Sequence, residues 1–135
     1  MDIRLENPPN IDALDAKFHV KGKQVLFAYG DKIYNPLCVN VPPYLLAHEK
    51  MHGERQVAMG IDAWWEKYIE DTTFRLEEEI IAHQVELRAR LVNGGSRQVK
   101  RGITKLMAKR LAAPLYGRMI TNAEARLAME SALEY

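Results

Sequence analysis

The chain has 135 residues, of which 47% are hydrophobic and 27% charged, and its formal net charge is +1. These values predict one globular domain over residues 1–135 with a modest hydrophobic core. The single cysteine, Cys38, excludes an internal disulfide and fits a reducing compartment. The N-terminus lacks the basic-then-apolar layout of a signal peptide, and no apolar run approaches the length that spans a bilayer. We therefore expect neither classical secretion nor a membrane anchor.

A small antiparallel sheet is predicted near the N-terminus. Residues 18–20 and 25–29 are rich in the β-branched and aromatic side chains that favour strands, and residues 21–23 resemble a hairpin turn between them. A second turn at residues 30–31 leads to a third short strand at residues 33–34.

Helices are predicted for the rest of the chain. Pro42 and Pro43 stand where the first helix begins, since proline is tolerated in a first turn, and Gly60 ends that helix. A long helix begins near Thr72 or Thr73, either of which can cap it. The predicted helices cover about residues 43–59, 62–69, 73–92 and 97–112, and a last one starts at residue 121.

One pentapeptide in the first of these helices, His48-Glu49-Lys50-Met51-His52, has the HExxH spacing of a catalytic zinc site. Two histidines four residues apart lie on one face of a helix, so both rings can reach the same metal ion. Glu49 is then placed to take the proton of a water molecule at that ion. The motif predicts Zn2+ as cofactor, with His48 and His52 as two of its ligands.

The third ligand has to come from another element, and the long helix offers Glu77, Glu78 and Glu79 in succession. Neighbouring helical residues point about 100° apart, so one of the three is expected to face the metal. A helical wheel places Glu78 on an apolar face and Glu79 on a polar stripe that also holds His83. We favour Glu79, because a carboxylate ligand lies in a cleft and a polar stripe is expected to line one, with Glu78 as the alternative.

The segment from Tyr44 to Gln56 resembles the active helix of zincin metallopeptidases of the gluzincin type, and the chain more closely resembles small HExxH proteins encoded by phages and prophages. The matching stretches share the order of that family's motifs and cover roughly residues 25–86, with a weaker match at residues 114–117. They are Tyr29-Gly30, Ile33-Tyr34-Asn35-Pro36, the HExxH helix, Trp64-Trp65, Tyr68, Phe74-Arg75 and Glu79-Ile80-Ile81-Ala82.

This resemblance implies a mostly helical α+β fold, a minimal zincin with a small antiparallel sheet packed beside the HExxH helix. It makes His48, His52 and Glu79 the metal ligands and Glu49 the general base, and it places His83 where the family usually has a tyrosine. The implied activity is zinc-dependent hydrolysis of a peptide or protein substrate, in the cytoplasm of a bacterial host or in association with a virion. We also expect an extended peptide to pair with the strand at residues 25–29.

Two further roles concern groups around the metal. The oxyanion of the reaction needs a donor besides the metal, and we rank His83 first, then Tyr34 and Tyr68, which makes His83 a candidate catalytic residue. The free ring nitrogens of the ligand histidines need acceptors, for which Glu86 or a backbone carbonyl can serve.

The C-terminal third of the chain is basic. No acidic residue occurs between residues 87 and 123, whereas nine basic ones do: Arg88, Arg90, Arg97, Lys100, Arg101, Lys105, Lys109, Arg110 and Arg118. Such a stretch fits a solvated helix face, a surface for an acidic partner, or contacts to nucleic-acid phosphates. The alternative to a peptidase is therefore a non-catalytic metal-binding or phage structural protein that binds an acidic partner or nucleic acid through this surface.

Overall fold

A computed structural model describes residues 2–133 of the chain. The described residues form six α-helices and one small sheet, which confirms the mostly helical α+β class. In chain order the elements are β1 (Asp2–Arg4), α1 (Ile11–Phe18), β2 (Phe27–Tyr29), β3 (Lys32–Tyr34), α2 (Pro43–Met59), α3 (Ile61–Glu70), α4 (Thr72–Leu91), α5 (Arg97–Leu111), a 3-10 helix (Pro114–Tyr116) and α6 (Asn122–Ser131). No helix among the described residues is both long enough and apolar enough to cross a bilayer.

The sheet has the strand order β1-β3-β2 and is mixed. β2 and β3 form the predicted antiparallel hairpin, with Ala28 opposite Ile33, whereas β1 pairs parallel with β3. The sequence did not predict β1, because its three residues are too few to show a pattern. The strand predicted at residues 18–20 is absent, since Phe18 ends α1 and His19 adopts a left-handed conformation with φ 53°.

The predicted helices occur close to their predicted bounds, but one cap differs. The side chain of Asp71 accepts a hydrogen bond from the backbone N–H of Phe74 at 3.1 Å, so Asp71 caps α4 instead of Thr72 or Thr73. Ser96 caps α5, and Thr121 forms the predicted capping box with Glu124 at the start of α6. The sequence did not predict α1, although Ile11, Leu14 and Phe18 have helical spacing.

Gln56 joins the sheet to the HExxH helix through two hydrogen bonds. The Gln56 amide donates to the carbonyl of Ala28 at 3.0 Å and accepts from the N–H of Gly30 at 2.7 Å, as a neighbouring strand would. Gly30 is required at this turn, because its φ is +64° and a Cβ atom there would lie 2.7 Å from the side chain of Ile61. Gln56 is fully buried and lies one turn beyond His52, so this contact sets the position of the sheet relative to the motif.

The hydrophobic core is divided into two clusters on either side of a polar layer. One joins α1, the sheet and α3 through Leu14, Val20, Phe27, Tyr34, Trp64, Trp65 and Tyr68. The other joins the C-terminal half of α4 to α5 and α6 through Leu87, Met107, Ala108, Leu111, Ala125, Met129 and Ala132. The polar layer consists of the buried side chains of His48, His52, Glu79, His83 and Glu86. It lies between α2 and α4, which form the most extensive helix pair among the described residues.

Candidate metal centre

Three potential metal ligands converge where α2 packs against α4. The ligand atoms of His48, His52 and Glu79 all lie within 4.8 Å of one another, and all three residues are buried. The Nε2 atom of His48 is 3.5 Å from Glu79 Oε1, and that of His52 is 3.2 Å from Glu79 Oε2. These separations are close to the roughly 3.3 Å expected between two ligands of a tetrahedral zinc ion with metal–ligand distances near 2.0–2.1 Å. The group could therefore hold a metal ion.

The hydrogen bonding of the cluster also fits a cation. Glu79 Oε1 is buried and has no hydrogen-bond donor among residues 2–133. An unsatisfied carboxylate oxygen in the protein interior is costly, and a divalent ion between Glu79 and the two imidazoles would remove that cost. The donor set, two imidazoles and one carboxylate, is that of catalytic zinc sites with one open position.

The structure distinguishes between the adjacent glutamates. Glu78, the alternative third ligand, points away from the histidines and accepts hydrogen bonds from Trp64 Nε1 and Arg55 Nε, both at 2.7 Å. Its carboxylate therefore provides the hydrogen-bond acceptor for the buried indole N–H of Trp64. Together with the bond from Arg55, it joins α2, α3 and α4. Glu79 is the member of the row that reaches His48 and His52.

A second layer of charged groups orients His48. Its Nδ1 atom donates to Glu86 Oε1 at 2.9 Å, so Glu86 is the acceptor for this ring, and Nε2 faces the centre. The acceptor that was also expected for His52 is absent, since its buried Nδ1 atom has no hydrogen-bond partner among residues 2–133. The other oxygen of Glu86 accepts from Arg90 at 2.9 Å and from Arg110 at 2.6 Å. Burial raises the pKa of the Glu86 carboxyl, but His48 and Arg110 outweigh it and bring that pKa down to about 2. Glu86 is therefore ionised at neutral pH and fixes the orientation of the His48 ring through its Nδ1 atom.

A tyrosine orients the third ligand. The Tyr68 hydroxyl donates to Glu79 Oε2 at 2.5 Å, and Trp64 stacks on the Tyr68 ring with 4.9 Å between centroids. Tyr68 is a predicted candidate for the oxyanion donor, but its hydroxyl already donates its hydrogen bond to Glu79. Tyr34, another candidate, belongs to the first core cluster and is not among the described residues that line the cavity at the centre.

His83 lies behind the centre. It is fully buried, and its Nδ1–H donates to the backbone carbonyl of Glu79 at 2.7 Å. Burial and the positive charge of His48 lower the pKa of His83 to about 3, so the ring is neutral. It is also absent from the described residues that line the cavity. This position favours a role in which His83 packs against Glu79 and His48, and not one in which it contacts a substrate.

A cavity of about 70 Å³ opens beside the three ligands. Glu49 lines it together with His48, His52 and Glu79, and its carboxylate lies 4.0 Å from His48 Nε2. Burial raises the pKa of Glu49, although the neighbouring histidines act in the opposite direction. The remaining walls are mostly apolar and come from α1, the β2 region, α3 and the 3-10 helix: Leu14, Phe18, Val20, Val25, Leu26, Phe27, Ala28, Trp64, Trp65, Tyr68, Leu115 and Tyr116.

Tyr116 is a candidate site residue that the sequence did not predict. It lines the cavity with Glu49 and Glu79, and its ring meets that of His83 edge-on at 5.5 Å. Burial and the charge of Glu79 raise the pKa of its hydroxyl well above the ordinary value, so Tyr116 keeps its proton. Its backbone carbonyl accepts from Arg75, which lies one turn before Glu79 on α4. The weak match at residues 114–117 was the signal that pointed to this segment.

The edge of β2 is partly occupied. The carbonyl of Ala28 already accepts from Gln56 and from Trp65 Nε1, and the N–H of Gly30 donates to Gln56. A peptide paired with the predicted strand at residues 25–29 would therefore have to use backbone groups before Ala28.

Comparison of the chain with protein-family models, curated proteins and solved structures found no significant match. The resemblance to phage-encoded gluzincins therefore stays a prediction.

The identity of the third ligand can be tested with two isosteric substitutions at adjacent positions. Glu79→Gln should weaken zinc binding by more than about 100-fold, since loss of a ligand exceeds the effect of losing a residue behind one. Glu78→Gln should keep zinc affinity within a few fold but lower the free energy of unfolding by about 1–3 kcal/mol, because Trp64 and Arg55 lose a charged acceptor. Zinc titration and urea unfolding measure the two effects, and the reverse pattern of zinc loss would assign the site to Glu78.

Metal binding should also depend on pH. Burial lowers the pKa of His48, but the carboxylates of Glu79, Glu86 and Glu49 outweigh it and raise that pKa to about 10, so metal-free His48 is protonated at pH 7. A metal ion needs the neutral ring and must displace this proton. The apparent zinc affinity should therefore rise about tenfold per pH unit between pH 6 and 8. Calorimetry in buffers of different ionisation enthalpy should show proton release, and pH-independent affinity without release would contradict this assignment.

Proposed function

We propose that the protein is a zinc-dependent peptidase of the gluzincin type. The observation that carries this proposal is the buried convergence of His48, His52 and Glu79 on a cavity that Glu49 also lines. A structural zinc site is closed by four protein ligands, whereas three ligands beside a cavity are typical of a catalytic site with an open position. We assign zinc from the HExxH spacing of the two histidines, since two imidazoles and one carboxylate by themselves also suit other divalent ions.

The metal would contribute acidification of a water molecule and polarisation of the scissile carbonyl. Glu49 follows the first ligand histidine directly on α2 and reaches into the same cavity, so it is the residue placed to accept a proton from water there. The same carboxyl can then deliver the proton to the leaving amine. Burial raises the pKa of Glu49, which suits a group that must both take and give a proton near neutral pH.

Tyr116 is the best-placed donor for the negative charge that develops on the carbonyl oxygen. Its hydroxyl keeps its proton at neutral pH, and the residue lines the cavity on the wall formed by the 3-10 helix. Arg75 holds the backbone of Tyr116 from α4, the helix that also carries Glu79. A donor held in place before the reaction stabilises the transition state without a cost of reorganisation.

The walls of the cavity indicate the kind of substrate. Leu14, Phe18, Val20 and Trp65 surround it on the side of the first core cluster. An apolar side chain next to the scissile bond would bury its surface there, whereas a charged one would lose its hydration without a partner. The substrate is therefore expected to be a peptide with an apolar residue beside the cleaved bond.

The catalytic proposal is tested with Glu49→Gln. The zinc-loaded variant should cleave a peptide mixture at least about 100-fold more slowly than the unmodified chain, because it lacks the proton acceptor. Its zinc content and thermal unfolding should stay unchanged. Glu54→Gln removes an exposed glutamate from the same helix and serves as the matched control. Mass spectrometry of the cleaved peptides measures turnover, and equal turnover by both variants would refute the role of Glu49.

The role of Tyr116 is tested with Tyr116→Phe. Loss of one preorganised donor should lower kcat by about 100-fold to 1,000-fold with little change in KM or in zinc affinity. The matched control is Tyr34→Phe, which removes a hydroxyl from the first core cluster at a residue outside the cavity lining. A kcat of Tyr116→Phe equal to that of the control would show that another group stabilises the oxyanion.

A further inference from the structure

A basic groove runs between α5 and α6, on residues that the proposed peptidase site does not use. It consists of two adjoining depressions of about 510 and 260 Å³, which share Lys105 and Arg126. Six basic residues line it: Arg97, Lys100, Arg101, Lys105, Lys109 and Arg126. All six are exposed, so their charges face solvent.

Most of these charges have no carboxylate partner. Within the described range, 2–133, Arg126 pairs with Glu130 at 3.9 Å, and the other five basic side chains of the groove form no ion pair. Arg110, the remaining basic residue of α5, is different because it turns inward to Glu86. The groove thus carries about five uncompensated positive charges on a protein whose formal net charge is +1.

Three of these cations lie near the N-terminal end of α5, where positive charge is unfavourable for the helix itself. Arg97, Lys100 and Arg101 occupy its first two turns, and the first turn has no acidic residue. The N-terminal end of a helix carries partial positive charge, so cations there are repelled and anions are stabilised. A bound polyanion would relieve this repulsion as well as the repulsion among the side chains.

The shape and composition of the groove favour the backbone of a double helix over other polyanions. α5 has 15 residues and is about 22 Å long, and its cations recur about every turn, which matches an extended row of phosphates. The described residues that line the groove include no aromatic side chain on which unpaired bases could stack. Its larger apolar side chains, Leu106 and Leu133, belong to different depressions and do not form the continuous apolar stripe that a helical acidic peptide needs.

We propose that the α5–α6 groove binds the phosphate backbone of double-stranded nucleic acid without reading its sequence. This function is independent of the metal centre, because the groove and the metal cavity share no lining residue. Each cation that meets a phosphate releases a counterion, so affinity should fall steeply with salt. Five such contacts give a slope of log K against log salt of about −4.5, or about a 500-fold loss of affinity between 50 and 200 mM salt.

The test is a fluorescence-anisotropy titration of the full zinc-loaded chain with 20-base-pair duplexes of arbitrary sequence. One arm uses DNA and the other RNA, so that the two sources of a duplex phosphate backbone are distinguished. The triple variant Lys100→Gln/Lys105→Gln/Lys109→Gln should reduce the magnitude of the salt slope by about 3 and weaken binding at 50 mM salt at least tenfold. The matched control Lys17→Gln/Lys23→Gln/Lys67→Gln removes the same charge from exposed positions elsewhere and should leave the slope unchanged.

Three results would overturn the proposal. The first is the absence of binding to either duplex at 50 mM salt, and the second is an equal loss of affinity in the two triple variants. The third is binding of a 20-residue polyglutamate at least as tightly as a duplex, which would assign the groove to an acidic protein. Circular dichroism of both variants should match that of the unmodified chain, since all substituted side chains are exposed.

Discussion

The burial of ionisable groups between α2 and α4 is the constraint on which the rest of the structure depends. His48, His52, Glu79, His83 and Glu86 are each 6% exposed or less. Removing such groups from water is costly unless each finds a partner of opposite charge or a hydrogen bond. They contact one another at 2.9–3.5 Å, so the two helices can adopt few other registers without leaving a charge uncompensated. The same requirement that fixes the packing also brings the three potential metal ligands together.

Residues far from the motif complete the centre. Arg110 on α5 neutralises Glu86, which orients His48, and Arg75 on α4 donates to the carbonyls of Tyr68 and Tyr116. These two arginines connect α3, α5 and the 3-10 helix to the polar layer. The HExxH helix therefore depends on the C-terminal half of the chain for its orientation, and the site cannot be reduced to the motif helix and the long helix that follows it.

Helix α5 shows how one element serves two environments. Met107 and Leu111 pack in the second core cluster and Arg110 turns toward Glu86, whereas Lys105 and Lys109 face the groove beside α6. A helix with apolar residues on one side exposes the rest of its circumference, and here that exposed side is basic. The near-neutral net charge of the whole chain conceals this separation of charge.

The sequence alone determined the bounds of α2 to α6 to within one or two residues, the HExxH motif and the mostly helical class, because caps, prolines and periodicity are local properties of the chain. It also favoured Glu79 over Glu78 as the third potential ligand. The tertiary structure supplies the physical reason, which depends on how α2, α3 and α4 pack: Trp64 and Arg55 donate to the Glu78 carboxylate, and His48 and His52 face Glu79. Only the tertiary structure decided the parallel pairing of β1, the burial of His83 away from the cavity lining and the approach of residue 116 to the cavity, because each depends on contacts between segments distant in sequence.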